Sequence, residues 1–375
     1  MSDHLPFARP TIDEQAIADA AQVLRSGSLA SGPYVAKFES ALSAYLGGRK
    51  VRTVTSGTAA LEIALRAAGI GKDDDVIVPA MSFAASANVV MRVGAFPVFV
   101  DVELRSRNLD LALVPAAIGK RTRAIMPVHF AGLPVDLEQL HGIAAKHGLR
   151  VIEDAAHAIG GAYRGRRIGS FGDIACFSFH PNKNMTTIEG GAIAFGQAVD
   201  ERFIEAERFH GIVRDADGNV DVVQAGGKYN LPDVCARLGL AQLERLDAFS
   251  ARRRELANIY FEQLAADPPG VLPERGDSGH CWNMFTLLLP FDQLGMTRAK
   301  FQHAMGQRGI GIGVHYPCIP GLCAYRNLSS RVEHRYPNAA RIGRETVTLP
   351  LFPAMADDDV RRVCDVLRAV LAHRA

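Results

Sequence analysis

Several things are scarce in this chain, and each scarcity removes a class of protein. Cysteine is one. Its six residues (Cys176, Cys235, Cys281, Cys318, Cys323 and Cys364) are spread without a Cys-x-x-Cys pair, so neither a zinc-ligand spacing nor a disulfide framework is present. Reduced thiols in the cytosol are the expectation, and no metal site is indicated. Excess charge is another: the net charge is +2, and basic residues are interleaved with acids, as in Arg252-Arg253-Arg254-Glu255. A surface that tracks nucleic-acid phosphates is not expected from that pattern. No apolar run approaches the length of a membrane span, and the opening MSDHLPFARP has neither the basic head nor the apolar core of a signal peptide. A soluble cytoplasmic protein is therefore expected. A Gly-x-Gly-x-x-Gly turn after the first strand is also missing, which argues against a nicotinamide oxidoreductase.

What is present is a regular alternation. The chain has 375 residues, about two domains' worth, and its 48% hydrophobic content suffices for a substantial core. Ile12, Ala16, Ile17, Ala20, Val23 and Leu24 recur at helical spacing over Thr11 to Arg25, with Gly27 as a stop. A loop, Ser28 to Tyr34, leads into a second amphipathic helix carrying Phe38, Leu42 and Tyr45. Strands are predicted at Val51 to Thr55, Asp75 to Pro79, Phe96 to Asp101, Ala124 to His129 and Ile174 to Phe179, and an apolar run from Leu149 to Ile152 reads the same way. Helices fall between them, after Ser56, from Ala80 to Asn88, around Leu111 to Ile118, and from Leu137 to His147. Strands alternating with helices imply an α/β fold, a large domain with a mostly parallel sheet between helices. A long helical stretch, Pro232 to Leu264, links it to a small C-terminal α+β domain. That domain holds strand-like Phe285 to Leu289, a helix at Thr297 to Gln307, the segment Gly311 to Tyr316 and a final helix at Asp357 to His373. The division is expected at residues 1–248 and 249–375.

Chemistry concentrates between Val151 and Ala194. Asp154 ends an apolar strand, and the carboxyl end of a buried strand is where an α/β sheet faces its ligand. Lys183 follows another apolar run and precedes a Thr-Thr pair and Glu189-Gly190-Gly191. An amine held among apolar and small residues loses its proton readily and can attack a carbonyl, which makes Lys183 a candidate Schiff-base lysine. Ser56-Gly57-Thr58 leads straight from a strand into a helix, where free N–H groups and the helix dipole favour a phosphate. Pyridoxal phosphate needs an amine, a carboxylate for its pyridine nitrogen, an aromatic face and phosphate donors. The chain offers each, although Ser and Thr at a helix start are also ordinary caps. By themselves a strand-end Asp and a loop Lys are also ordinary surface residues. His129, at a strand end, reads as structural.

Two linked stretches, Asp154-Ala-Ala-His157-Ala and Phe177-Ser178-Phe179-His-Pro-Asn-Lys183, followed by Glu189-Gly-Gly, closely resemble the signatures of the DegT-type sugar aminotransferases. These are pyridoxal phosphate enzymes of the aspartate aminotransferase fold, type I. The resemblance covers nearly the whole chain and implies a role for each residue. Lys183 would bond the cofactor and Asp154 would keep its ring nitrogen protonated. Gly57, Thr58 and Ser178 would bind its phosphate, Phe83 would stack on its ring, and His157 would lie beside the ring hydroxyl. Gly32-Pro33 would lie near the sugar entrance. Lys228-Tyr-Asn230-Leu, the opening MSD-x-LPF-x-RP, Phe209-His210-Gly211 and Leu349-Pro-Leu-Phe-Pro353 resemble the UDP-4-amino-4-deoxy-L-arabinose aminotransferase branch. There Lys228 would reach across a homodimer to the partner's cofactor phosphate; its plain alternative is a solvated surface lysine. Pro320 stands where that branch has a second His.

The implied reaction takes the amino group of L-glutamate, leaving 2-oxoglutarate, and places it on the keto carbon, C4, of a nucleotide-linked keto sugar. Such amino sugars serve lipopolysaccharide or other surface and secondary-metabolite glycans. Amination at C3, a dTDP or GDP carrier, and a non-catalytic regulator that binds the cofactor are the alternatives. A dehydratase group of the same fold has His in place of the lysine, and Lys183 argues against it.

Overall fold

The computed structural model describes residues 4–328 and 332–372, so Met1 to Asp3 of the opening motif and His373 at the end of the last predicted helix lie outside the described residues. At the centre is a seven-stranded sheet formed by β1 (Lys50–Val54), β2 (Asp75–Pro79), β3 (Phe96–Val100), β4 (Thr122–Ile125), β5 (Arg150–Asp154), β6 (Ile174–Ser178) and β7 (Gly191–Phe195). Their order is β1-β7-β6-β5-β4-β2-β3. β7 is antiparallel to both neighbours, and the other pairs are parallel, as the alternation predicts. The carboxyl ends of β1, β2, β4, β5 and β6 consequently open on one edge, together with the start of β7.

The sequence reading did not anticipate β7. Gly-Ala-Ile-Ala-Phe carries little of the β-branched character that marks a strand. Its small residues have a tertiary cause: a Cβ on Gly191 would stand 2.5 Å from the Ser56 carbonyl carbon and 2.7 Å from the Gly57 nitrogen. The backbone that leaves β1 lies directly against this strand, and only glycine admits it.

Helices cover both faces. α1 (Glu14–Ser26) starts later than its apolar spacing predicts because Asp13 caps it, accepting from the Ala16 N–H at 2.8 Å. Gly27, at φ 74°, ends it. Of its apolar stripe only Ala16 and Val23 are buried; Ile12, Ile17 and Leu24 are exposed on the single chain. α2 (Pro33–Tyr45) buries Phe38 and Leu42, and α3 (Gly57–Ala67) is buried over most of its length. α4 (Ala85–Arg92) begins five residues after the predicted start, because the Ala80 carbonyl accepts from the Ile319 N–H at 2.8 Å and Met81 bridges Cys318. That pairing holds the stretch before Phe83 extended. The helix expected around Leu111 to Ile118 shrinks to Val114–Ala117. α5 (Leu137–His147) has the expected bounds, capped by Asp136. α6 (Asp233–Leu264), with 32 residues and a length of about 48 Å, runs from the sheet to the C-terminal elements.

There β8 (Phe285–Leu288) pairs antiparallel with β9 (Thr346–Leu349). α7 (Asp357–Ala372) joins Tyr260, Phe285, Phe301 and Leu349 in a separate cluster of the core. Leu5 packs into that cluster, its N–H donating to the Gly309 carbonyl at 2.8 Å. Gly311 to Tyr316 forms no strand; the Gly311 N–H donates to the Leu5 carbonyl at 2.8 Å, a bridge joins Gly313 to Thr348, and the chain then turns toward the sheet edge. The polar section after β7 contains a helix, Glu201–Arg208, and a hairpin, Ile212–Arg214 with Val220–Val222, whose turn is the Asp215 to Gly218 segment. Among the described residues no helix is long and apolar enough to cross a membrane.

Candidate active site

The converging strand ends enclose a cavity of about 330 Å³. Ser56, Gly57 and Thr58 enter it from the β1–α3 junction, Asp154 and His157 from the end of β5, and Ser178 and Lys183 from β6 and the loop beyond. Phe83 closes one side. Of the eight cofactor-binding residues expected from the sequence, seven line this one space, and Lys228 does not.

Lys183 is buried, and desolvation lowers its pKa from 10.5 to about 8 while the Asp154 charge pulls the other way. About half of the amine is thus neutral near pH 8, against well under one percent for an exposed lysine. Asp154 is buried too. Burial raises its pKa, and two donors oppose that rise: the Ser86 hydroxyl at 2.8 Å on Oδ2 and the Ala156 N–H at 3.1 Å on Oδ1. Ser82 lies 3.0 Å from the Ser86 hydroxyl. Because Ser86 spends its only proton on the carboxylate, Ser82 donates to Ser86, forming a chain that ends on Asp154.

The other end of the cavity is the start of α3. Ser56 caps it, accepting from the Ala59 N–H at 3.1 Å. The N–H groups of Gly57 and Thr58, in the first turn, have no acceptor within the helix. A Cβ on Gly57 would stand 2.8 Å from the Ser178 Cβ, so the glycine lets Ser178 come close beside those N–H groups. Three donors therefore face one place, a cradle suited to a dianionic phosphate. Phe83 is 57% exposed, its ring centroid 5.7 Å from that of Tyr316, so its face is free to cover a planar ring.

His157 is buried, and desolvation holds its pKa well below 6.5. The Tyr316 hydroxyl is 3.3 Å from its Nε2, while its Nδ1 has no hydrogen-bond partner among the described residues. Tyr316 and His315, which also line the cavity, were not among the residues expected there. The stretch His-Tyr-Pro belongs to the C-terminal half, and no local pattern reports that it crosses to the sheet edge. His315 is fixed by Thr348, whose hydroxyl lies 2.7 Å from Nδ1.

Other expected positions lie elsewhere. Lys228 is exposed, donates to the Asn230 side chain and sits 4.4 Å over the Phe209 ring, outside its own chain's cavity. Gly32-Pro33 packs on the start of α6, where a Cβ on Gly32 would meet the Asp233 carboxylate. The neighbouring Ser31 hydroxyl accepts from Asn230 at 3.0 Å, so this loop lies with the Lys228 segment. Pro320 is buried in the short turn Ile319–Gly321 and does not line the cavity. His129 is buried within the fold: its Nδ1 accepts from the Val135 N–H at 3.1 Å, so its proton is on Nε2 and donates to Glu153 at 3.0 Å. With both ring nitrogens engaged, it is structural, as read from the sequence. A broader depression of about 870 Å³ lies around Arg105, Asp110, Asp136, Arg164 and Glu274, and contains none of the expected site residues.

The residues fit pyridoxal phosphate. A partly neutral buried amine, a buried carboxylate, a three-donor cradle and a largely buried imidazole surround one cavity. Comparison with known proteins points the same way. The sequence pattern of the DegT/DnrJ/EryC1/StrS aminotransferase family matches residues 10–368. An uncharacterized protein of Methanocaldococcus jannaschii is 35% identical over 378 aligned positions, covering 98% of each chain. A proposed sugar aminotransferase of Streptococcus pneumoniae, solved in pyridoxamine and pyridoxal phosphate forms, superposes with a TM-score of 0.92. It is 30% identical, with 99% of this chain and 100% of that one covered. S. venezuelae DesV, solved with a ketimine intermediate, gives 0.89 at 33% identity over 100% of both chains.

Proposed function

The chain belongs to the DegT/DnrJ/EryC1/StrS aminotransferase family, and from that premise we propose that it moves the amino group of L-glutamate to the C4 keto carbon of a nucleotide-linked sugar. Its cofactor is pyridoxal phosphate, and its class is that of the sugar aminotransferases. The observation that carries the proposal is the pairing of a partly neutral Lys183 with the buried Asp154 in one cavity that ends at the start of α3.

When bound, the cofactor supplies an aldehyde to carry the amino group and a pyridinium ring to draw electrons from the donor's α-carbon. The chain's own residues do the rest. Lys183 provides the neutral amine that holds the aldehyde carbon. Once the donor displaces it, its Nζ takes the α-proton and returns it to the cofactor carbon as general acid and base. Asp154, whose carboxyl oxygens accept from Ser86 and Ala156, would hold the ring nitrogen protonated. Gly57, Thr58 and Ser178 bind the phosphate, and Phe83 covers the ring. In a homodimer, Lys228 on its exposed segment would reach the partner's cofactor phosphate. The Lys228-Tyr-Asn230 segment favours a 4-keto sugar of the arabinose type, and thereby lipopolysaccharide or a related surface glycan, whereas Pro320 removes one imidazole from that recognition.

Two experiments test the reading. Lys183→Ala should lose both the visible absorbance of the bound cofactor and turnover; retention of both would refute the assignment. Glutamate with a panel of UDP- and dTDP-linked 3-keto and 4-keto sugars should yield 2-oxoglutarate with a UDP-linked 4-keto sugar. Conversion of the cofactor by glutamate, with no sugar in the panel aminated, would refute the substrate class.

A further inference from the structure

The rim of the cavity carries two polar side chains that the cofactor leaves unassigned. His180 and Glu189 line it with 47% and 62% of their side-chain surface exposed, where the space opens to solvent. Asn182 holds the imidazole through Nδ1, with its side-chain oxygen 2.7 Å away. The other ring nitrogen, Nε2, faces Glu189 Oε1 at 3.8 Å, too far for a hydrogen bond. Both atoms are therefore open to a ligand. The backbone that carries Glu189 is firmly held. Ile188, a β-branched residue, sits at φ 71°, a conformation such residues rarely adopt. Its N–H donates to the Thr186 hydroxyl oxygen at 3.0 Å, and the Thr187 hydroxyl donates to the Glu189 carbonyl at 2.8 Å. A Cβ on Gly190 would stand 2.2 Å from the Thr187 hydroxyl oxygen, so glycine follows the turn. A strained turn clamped on buried threonines, with a carboxylate free of any direct hydrogen bond at the rim, fixes where that carboxylate is presented.

We propose that Glu189, with His180 beside it, binds the hydroxyl groups of the acceptor's sugar ring and so sets which acceptor is used. The inference rests on the nucleotide-sugar reading and adds two residues to it. Charge decides which part of which substrate meets this rim. L-Glutamate brings two carboxylates, and its one ammonium is consumed at the cofactor; the nucleotide brings a diphosphate. Glu189 repels all of these anions. Between the diphosphate and the ketone lies an uncharged ring of hydroxyl groups. A hydroxyl donates to a carboxylate, and it can donate to or accept from an imidazole in either tautomer. The deep end of the cavity is assigned already, to Asp154, Lys183 and the donors at the start of α3. A ketone carbon brought to the amine beside Lys183 therefore leaves the rest of its ring lying outward, against His180 and Glu189.

The test uses the full chain loaded with pyridoxal phosphate, the visible band showing that each variant is folded and charged with cofactor. Calorimetry with UDP and with UDP-xylose, which has a hydroxylated ring and no ketone, isolates what the ring contributes. Wild type should bind UDP-xylose more tightly than UDP. Glu189→Gln, which removes the charge and keeps the shape, should weaken UDP-xylose about 10-fold, and Glu189→Ala up to about 100-fold, with UDP changed by less than about 2-fold. In single-turnover absorbance the half-reaction with glutamate should not slow, while the half-reaction with a UDP-linked 4-keto sugar should slow by the same factors at low sugar concentration. His180→Ala should move the same two readouts by a smaller amount. Equal weakening of UDP and UDP-xylose, or a glutamate half-reaction slowed as much as the sugar one, would overturn the proposal. Wild type that reacts with glutamate and aminates no sugar of the panel would overturn the substrate class and this assignment together. Sugar amination at equal rates in wild type and Glu189→Ala would overturn this assignment alone.

Discussion

Ser86→Ala is the substitution whose consequence follows most directly from the site's electrostatics. It removes the 2.8 Å hydrogen bond from the Ser86 hydroxyl to Asp154 Oδ2 and leaves the Ser82 hydroxyl without its acceptor. A hydrogen bond to a charged group contributes about 1.5–3 kcal/mol, against about 1 kcal/mol between neutral groups. The loss therefore depends on whether Asp154 is ionised. Burial raises the Asp154 pKa above its ordinary value, and Ser86 opposes the rise. In the folded wild type a raised carboxyl pKa contributes stability that is present at low pH and is lost as pH rises through that pKa. Removing Ser86 raises the pKa further, so the variant loses more than the wild type on the alkaline side and little more at acid pH. In melting of the cofactor-free chain the two proteins should differ by a degree or so near pH 4. The gap should open to about 2–4 °C by pH 8, the shift that a ~2–3 kcal/mol loss gives in a chain of this size. Ser82→Ala, which leaves the bond to Asp154 in place, should show a smaller and flatter difference. A gap that stays constant from pH 4 to pH 8 would refute the argument, since it would mean that Ser86 never meets a carboxylate.

Three further outcomes follow from the geometry. Lys183 must be neutral to bond the cofactor, so loading of pyridoxal phosphate onto the cofactor-free chain should accelerate as pH rises through about 8 and then level off; stopped-flow absorbance showing a flat rate from pH 6 to 9 would contradict the buried amine. Gly191→Ala places a methyl group against the Ser56 and Gly57 backbone, where overpacking costs about 1–3 kcal/mol. Calorimetry should show the lower Tm and equilibrium dialysis a weaker hold on the cofactor; unchanged affinity would mean that this backbone does not shape the phosphate cradle. Lys228→Ala should weaken pyridoxal phosphate binding by about 10–100-fold if it supplies a charge-assisted bond across a homodimer, and fluorescence titration that shows no change would return it to its place over the Phe209 ring.

The legible part of this protein was the part written in local spacing. Alternating strands and helices gave a mostly parallel sheet, and the bounds of β2 and α5 agree with the sequence reading residue for residue. Lys183, Asp154, Gly57 and Ser178 were singled out because their stretches match the family's signatures, local position alone being equally compatible with caps and surface residues, and the structure brings all four to one cavity. β7 was missed because it carries little β-branched character and its opening Gly191 answers to the Ser56 backbone against which it packs, a pressure with no period along the chain. The delayed start of α4 has the same kind of cause, a pairing with Cys318 more than two hundred residues away.

What the amino-acid order determined unaided was most of the elements and the α/β alternation, since hydrophobic period, caps and glycine turns act over a few neighbouring residues; the candidate reactive groups on them were picked out by their likeness to the family's signatures. What only the folded chain decided was their company: the serine chain behind Asp154, the cradle formed by Gly57 and Ser178, and the tyrosine that reaches His157 from the far half of the sequence. Those partnerships depend on desolvation and on contacts closed across long stretches of chain, and both exist only once the core has excluded water.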